Sequence, residues 1–143
     1  MKRLAFALLV ATLPSASRAC EVALLLAIDV SGSVDPSEYR LQVEGTAAAL
    51  ADPDVAEALL RAQAAVAVIQ WSDASQQSVV IPWTRVLTPD AAFRLAGDAA
   101  LIERQFDENN TAVGEALRFS SALFAQVSDC RRKVIDISGD GPQ

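Results

Sequence analysis

The stretch Val22-Ala23-Leu24-Leu25-Leu26-Ala27-Ile28 is apolar at every position and stops abruptly at Asp29. A strand with one wet face alternates apolar and polar residues, whereas an unbroken apolar run suits a strand buried on both faces, at the centre of a parallel sheet. Such a strand needs a layer above it and another below, so the remaining chain has to supply helices for both.

The rest of the chain is patterned to do so. Asp35 is placed as an N-cap, with Pro36 at the first helical position, Glu38 closing a capping box, and Tyr39, Val43, Ala47 and Leu50 at helical spacing. Asp52-Pro53 restarts a second helical piece carrying Val55, Leu59 and Leu60. Ala65 to Trp71 reads as a strand, the polar stretch Ser72 to Gln77 as a turn, and Ser78 to Trp83 as a hairpin partner. Pro82 has no N–H to give a ladder, which assigns this partner to a sheet edge. Thr88-Pro89-Asp90 opens a further helix with Phe93, Ala96, Ala100 and Leu101 on one side. Asp107 to Asn110 is a polar loop. From Thr111 the spacing of Val113, Leu117, Ser120, Phe124 and Val127 marks another helix, and Arg131-Arg132-Lys133 leads into a strand from Val134 to Ser138. The expected fold class is α/β: one open, mostly parallel sheet with helices on both faces.

Length and composition bound the function. A chain of 143 residues with 52% hydrophobic and 21% charged residues fits one globular domain. It contains no histidine, which removes Ser-His-Asp and Cys-His nucleophile pairs, His-ligated metals and most general-base chemistry near neutral pH. All 18 acidic residues and only nine of the 12 basic ones lie after position 19, so a nucleic-acid partner is not expected.

Met1-Lys2-Arg3, the apolar run Leu4 to Leu13 and Pro14-Ser15-Ala16-Ser17-Arg18-Ala19 have the basic start, short apolar core and small-residue cut site of a secretory signal peptide, residues 1–19. The apolar run is about half the roughly 20 residues that span a bilayer, so no membrane span is expected after cleavage. Position alone also admits a lipid-modified Cys20, which Arg18 disfavours. Export leads to an oxidising compartment, periplasmic or secreted, where two cysteines, Cys20 and Cys130, suggest one disulfide. Each precedes a strand-like run, and a bridge would join the starts of two parallel strands if those strands are neighbours.

Asp29-Val30-Ser31-Gly32-Ser33 follows the first strand directly, at the carboxyl end where open α/β sheets bind ligands. Asp29, Ser31 and Ser33 at alternate positions can aim three oxygens at one point, a hard-oxygen set suited to Mg²⁺ or Mn²⁺. Taken alone these are also ordinary turn residues. Thr111, at a helix start, and Asp140, in the loop after the last strand, allow three loops to bring five oxygens to one crest. Each has a plain alternative, Thr111 as an N-cap and Asp140 in an Asp-Gly turn.

The Asp29-x-Ser31-x-Ser33 loop, the Thr111-x-x-Gly114 helix start and the Asp140-Gly141 pair resemble the metal-ion-dependent adhesion site of von Willebrand factor A domains. Ala27 to Asp35, Gln70-Trp71-Ser72, Ile81-Pro82-Trp83 and Val134 to Gly141 look more narrowly like an exported, uncharacterised bacterial branch of that superfamily. The resemblance covers residues 20–143 as one domain. It implies that the Asp29 strand is central, that the hairpin strand lies at one edge, and that the Asp140 strand lies on the other side, which independently places Cys20 beside Cys130. It further implies that Ser31, Ser33 and Thr111 ligate a metal directly, that Asp29 and Asp140 do so directly or through water, and that a protein partner's acidic side chain takes the open position. Domains of this type continue with two more strands and their helices, so the resemblance implies an incomplete C-terminus with the last strands missing, either because the sequence is a fragment or truncated reading frame or because a partner covers the Asp140 strand.

Other residues rank lower. Asp136 lies inside a strand close to Arg131, Arg132 and Lys133, which suggests a structural or solubilising charge. Trp71 and Trp83 suit hairpin packing better than a binding platform, and the Asn109-Asn110-Thr111 sequon fits by pattern only. The function expected is therefore an exported, divalent-metal-dependent protein-binding module of adhesion type, not an enzyme. Alternatives are a metal-assisted hydrolase, with Asp29, Asp136 or Asp140 as its general base, and a remnant that binds no metal.

Overall fold

The structure is a computed structural model that describes residues 20–107 and 110–139. The proposed signal peptide, residues 1–19, and Asp140 lie outside the described residues.

Strand β1 (Val22–Asp29) is followed by helices α1 (Pro36–Ala51) and α2 (Pro53–Arg61), strands β2 (Ala65–Trp71) and β3 (Gln77–Arg85), helices α3 (Pro89–Ala100) and α4 (Val113–Leu123), a short 3-10 turn (Phe124–Val127) and strand β4 (Arg132–Ile137). The four-stranded sheet has the order β3-β2-β1-β4. β1 is parallel to β2 on one side and to β4 on the other, while β3 runs antiparallel at the edge, as Pro82 requires. The β2–β3 register shifts between Val66 and Val68 and again between Val68 and Ile69, so the edge strand is irregular around Pro82.

The helix starts form through the caps that the sequence offers. Asp35 accepts from Ser37 N–H and Glu38 N–H while Glu38 returns a bond to Asp35 N–H, Asp52 accepts from Asp54 N–H and Val55 N–H, and Thr88 accepts from Ala91 N–H. A core of Ile28, Val30, Val66 and Val68 packs under Leu50 of α1, Leu59 of α2 and Leu95 of α3 on one face. On the other, Ala23, Leu25, Ala27, Ile69 and Trp71 pack under Ala116 of α4 and under Phe124 and Val127. The face of β1 that carries Ala23, Leu25 and Ala27 is buried along its length, whereas on the α1 side Ile28 is buried but Val22, Leu24 and Leu26 are only half-buried, so the cover that an unbroken apolar run demands is partial there.

Three expectations need correction. The apolar side of α3 is Ala92, Leu95, Ala96 and Ala99, whereas Phe93 and Leu101 are 78% and 79% exposed and Ala100 also faces outward. Small residues face inward here because α3 packs closely on α1, and alanines permit a helix approach that Phe93 would block. The last helix begins at Val113, two residues after Thr111, with Ala112 at a cap position that has no side-chain bond. It also ends at Leu123 and tightens into the 3-10 turn instead of running on to Val127.

Both tryptophans sit on the hairpin strands but pack into the core under α4: Trp71 is fully buried with Nε1 donating to Ala27 O of β1 at 3.3 Å, and Trp83 donates to Leu123 O at the end of α4 at 3.0 Å beside the Phe124 ring. Cys20 and Cys130 form a disulfide with their Cα atoms 4.4 Å apart, joining the starts of β1 and β4. β4 is the second edge of the described sheet. Its side toward α1 is open, and a groove of about 470 Å³ runs there past Leu24, Leu26, Leu41 and Asp136. Among the described residues no helix is long and apolar enough to cross a membrane.

Candidate metal centre

The three parallel strands end at one crest, and β1 delivers Asp29 to its middle. The side chain is fully buried. Oδ1 accepts from Ser31 N–H at 2.8 Å, while Oδ2 is buried with no hydrogen-bond partner among the described residues. A carboxylate oxygen taken out of water without a donor is costly, several kcal/mol in typical proteins, unless a cation compensates it. Gly139, after β4, closes against this oxygen: a Cβ there would sit 3.3 Å from Oδ2 and 3.6 Å from the Trp71 ring.

Three hydroxyls converge beside it. Ser31 Oγ lies 3.0 Å from Ser33 Oγ, and Thr111 Oγ1 donates to Ser31 Oγ at 3.2 Å across 80 residues of sequence. Thr111 therefore does not cap α4; its hydroxyl is spent on the β1 loop. Ser31 is fully buried, while Ser33 and Thr111 reach the surface. Of the five oxygen residues singled out in the sequence, the structure brings Asp29, Ser31, Ser33 and Thr111 together. Asp140 is not among the described residues, although its neighbour Gly139 stands directly against Asp29. Among the described residues no three acidic, cysteine or histidine side chains cluster, so the donor set is one carboxylate with hydroxyls, a hard-oxygen combination. The orphaned Oδ2 beside three hydroxyls fits a small divalent cation.

The Thr111 segment is held to the crest by polar side chains that pattern reading passed over. Ser72 Oγ donates to Asn110 O at 3.2 Å and Ala112 N–H to Ser72 O at 2.8 Å. Gln70, fully buried in β2, accepts from Gln105 N–H at 2.8 Å and donates to Glu103 O at 3.1 Å and to the Tyr39 hydroxyl at 2.9 Å. Burial pushes the Tyr39 hydroxyl above its usual range, so it stays protonated and donates to Ile102 O at 3.0 Å. Arg104 reaches from the same segment to the carbonyls of Val30 and Ser31. Gln70 was open to detection as the one polar residue inside an otherwise apolar strand; Arg104 carried no local signal.

This sheet order and its flanking helices are the fold of von Willebrand factor A domains, and three solved structures bear the likeness. A pilus adhesin, SpaC from Lactobacillus rhamnosus GG, matches with a TM-score of 0.63 at 16% identity over 85% of this chain and 16% of its own. The vWF domain of the type V pili tip protein Mfa5 from Porphyromonas gingivalis matches at 0.56 and 17% identity over 86% of this chain and 38% of that one. Proximal thread matrix protein 1 from the mussel byssus, described with a zinc-occupied MIDAS motif, matches at 0.57 and 13% identity over 85% and 30%. The chain thus spans well under half the length of each. No curated protein sequence matches it. The chain belongs to the family described as Protein of unknown function (DUF1194), which matches residues 19–143.

Proposed function

We propose that this protein is an exported, non-enzymatic protein-binding module of adhesion type that grips its partner through a divalent cation, Mg²⁺ or Mn²⁺. The observation that carries the reading is the buried Asp29 Oδ2, left without a donor among the described residues and set beside the converging hydroxyls of Ser31, Ser33 and Thr111. Those four residues, with Asp140 from the loop after β4, would hold the ion. A cation so bound supplies an electrophilic position for an acidic side chain of the partner.

The chain's own residues do the rest. Asp29 lends its charge from a buried site, where attraction to a cation is screened less than at the surface. Ser31 Oγ is oriented by its two hydroxyl neighbours, and Gly139 keeps the space over Oδ2 clear of a side chain. Export is supported by the pattern of residues 1–19 and by the disulfide, which persists in oxidising compartments, periplasmic or secreted. The adhesion-type reading is supported by the descriptions of the SpaC and Mfa5 structures as pilus proteins, and the metal by the MIDAS description of the mussel protein.

The test is calorimetric titration of Mg²⁺ and Mn²⁺ into the chelator-stripped chain, beside Asp29→Ala and Asp140→Ala. Weak saturable binding by the wild type, lost in both variants, is expected. Equal binding by all three would mean that these oxygens are not the site, and the reading would fall.

A further inference from the structure

Arg104 lies in the α3–α4 connection, the segment that carries Thr111, yet its guanidinium spans to the loop after β1. Nη2 donates to Val30 O at 2.9 Å and to Ser31 O at 2.8 Å, and Nε donates to Phe106 O at 2.8 Å. The guanidinium carbon stands 5.7 Å from the centre of the Tyr39 ring, which is itself tied to Ile102 O and Gln70. The arginine is thus anchored to its own segment at Nε and presents a fixed, permanently charged donor to the other.

What it grips decides the geometry of Ser31. Val30 C=O and Ser31 N–H are the two ends of one planar trans peptide, and they point in opposite directions. Arg104 holds the oxygen and Asp29 Oδ1 holds the N–H at 2.8 Å. The next peptide is held by its oxygen as well, which accepts from Arg104 and from Val34 N–H at 3.0 Å. With the peptides on both sides of Ser31 oriented, its φ and ψ are set and so is the direction of its Cβ. Its hydroxyl is then carried to the point where Ser33 and Thr111 meet it.

We infer that Arg104 is the positioning residue of the metal loop, an inference that rests on the metal-dependent reading above. It touches no ion. It acts through the two peptides flanking Ser31 and, in the same stroke, locks the Thr111 segment to the Ser31 loop. A positive charge near a cation site also repels the cation, so two effects of opposite sign follow from removing it. Loss of charge alone would tighten binding; loss of positioning would weaken it, because the loop must then be ordered by the ion itself. Charge-assisted hydrogen bonds are the stronger ones in proteins, so positioning prevails.

The experiment is Mn²⁺ and Mg²⁺ titration of the full chain with its disulfide intact, for wild type, Arg104→Met, Arg104→Lys and Tyr39→Phe, with metal-free melting curves for each. Arg104→Met should weaken Mn²⁺ binding by roughly tenfold or more, the scale set by one lost charged hydrogen bond. Arg104→Lys keeps the charge and can reach one carbonyl, so it should recover part of that loss. Tyr39→Phe removes the bonds to Ile102 and Gln70 but not the Arg104 grip; it should melt earlier without metal and lose less Mn²⁺ affinity than Arg104→Met does. Unchanged or tighter Mn²⁺ binding by folded Arg104→Met, with normal wild-type binding, overturns the role of Arg104 and leaves the metal site standing. Should Arg104→Met fail to fold, wild-type affinity in Arg104→Lys overturns it equally. A wild type that binds no metal sinks the site and Arg104's role together.

Discussion

The neighbouring strands β1 and β4 are fastened at both ends, by opposite means. At their starts the Cys20–Cys130 bond is buried, and Arg131 N–H to Cys20 O and Arg132 N–H to Glu21 O open a regular ladder. At their far ends Ser138 N–H still donates to Ala27 O at 3.0 Å, but Asp29 N–H reaches Ser138 Oγ only at 3.4 Å. Beyond it stand a bare Gly139 and a carboxylate oxygen with no donor among the described residues. One end is saturated and covalent; the other keeps unmet oxygen. The lesson is a division of labour along one strand pair: the disulfide end contributes stability, whereas the crest carries a buried carboxylate oxygen that costs stability and that the proposed cation would meet.

Breaking the saturated end should have the largest effect. Cys20→Ser with Cys130→Ser opens a loop of 110 residues. Urea denaturation should show a loss of up to about 4 to 5 kcal/mol in the chain-entropy treatment. Mn²⁺ affinity of the folded fraction should hold within about twofold; a larger fall would mean that the two ends are coupled.

The crest should answer next, and with the opposite sign in the absence of metal. Asp29→Asn keeps the shape but removes the buried charge, so the metal-free chain should melt no earlier than the wild type. The gain expected of Mg²⁺ on the wild type under the proposed function, about 2.7 kcal/mol when free ion is a hundred times Kd, should be absent from this variant. If the metal-free Asp29→Asn variant melts well below the wild type, the carboxylate is not an unmet charge.

Two threonines sharpen the contrast further. Thr88→Val removes a working cap, the bond from Ala91 N–H at 3.1 Å, and should cost about 1 kcal/mol without touching metal affinity. Thr111→Val removes no cap, so it should leave metal-free melting almost unchanged while weakening Mn²⁺ binding. Exchange of those two outcomes would return Thr111 to an ordinary helix-start role.

The smallest effect concerns pH. The Ser37 hydroxyl, with the N–H groups of Glu38 and Ser37, holds the exposed Asp35 carboxyl below the usual carboxylate range. A lowered folded pKa means that its stabilisation is present above the ordinary value and is lost as pH falls through the folded one. The melting deficit of Asp35→Ala should therefore be larger at about pH 6 than at about pH 2.5. A deficit independent of pH would leave the cap but remove its charge.

How far the sequence could be read depended on the distance over which each feature is decided. The caps at Asp35, Asp52 and Thr88 were legible because each is settled within three or four residues, and β3's edge place because Pro82 lacks its own N–H. Four of the oxygen residues were legible because they flank element ends, where loops at the carboxyl side of strands gather. The buried face of α3 is not legible in this way: helical spacing alone permits Phe93 inward, and the closeness of α1 turns the alanines in.

By itself, then, the sequence determined a central strand with helices on both faces, its neighbours' types and the oxygen-rich end of that strand, since apolar periodicity and capping chemistry act between near neighbours. The tertiary structure alone decided that Thr111 meets Ser31 across 80 residues, that Arg104 grips Ser31 O across 73, and that Asp29 Oδ2 has no donor among the described residues. Such contacts depend on how separately folded elements approach one another, and a side chain's partner at that range is set by packing, on which its own neighbours in sequence are silent.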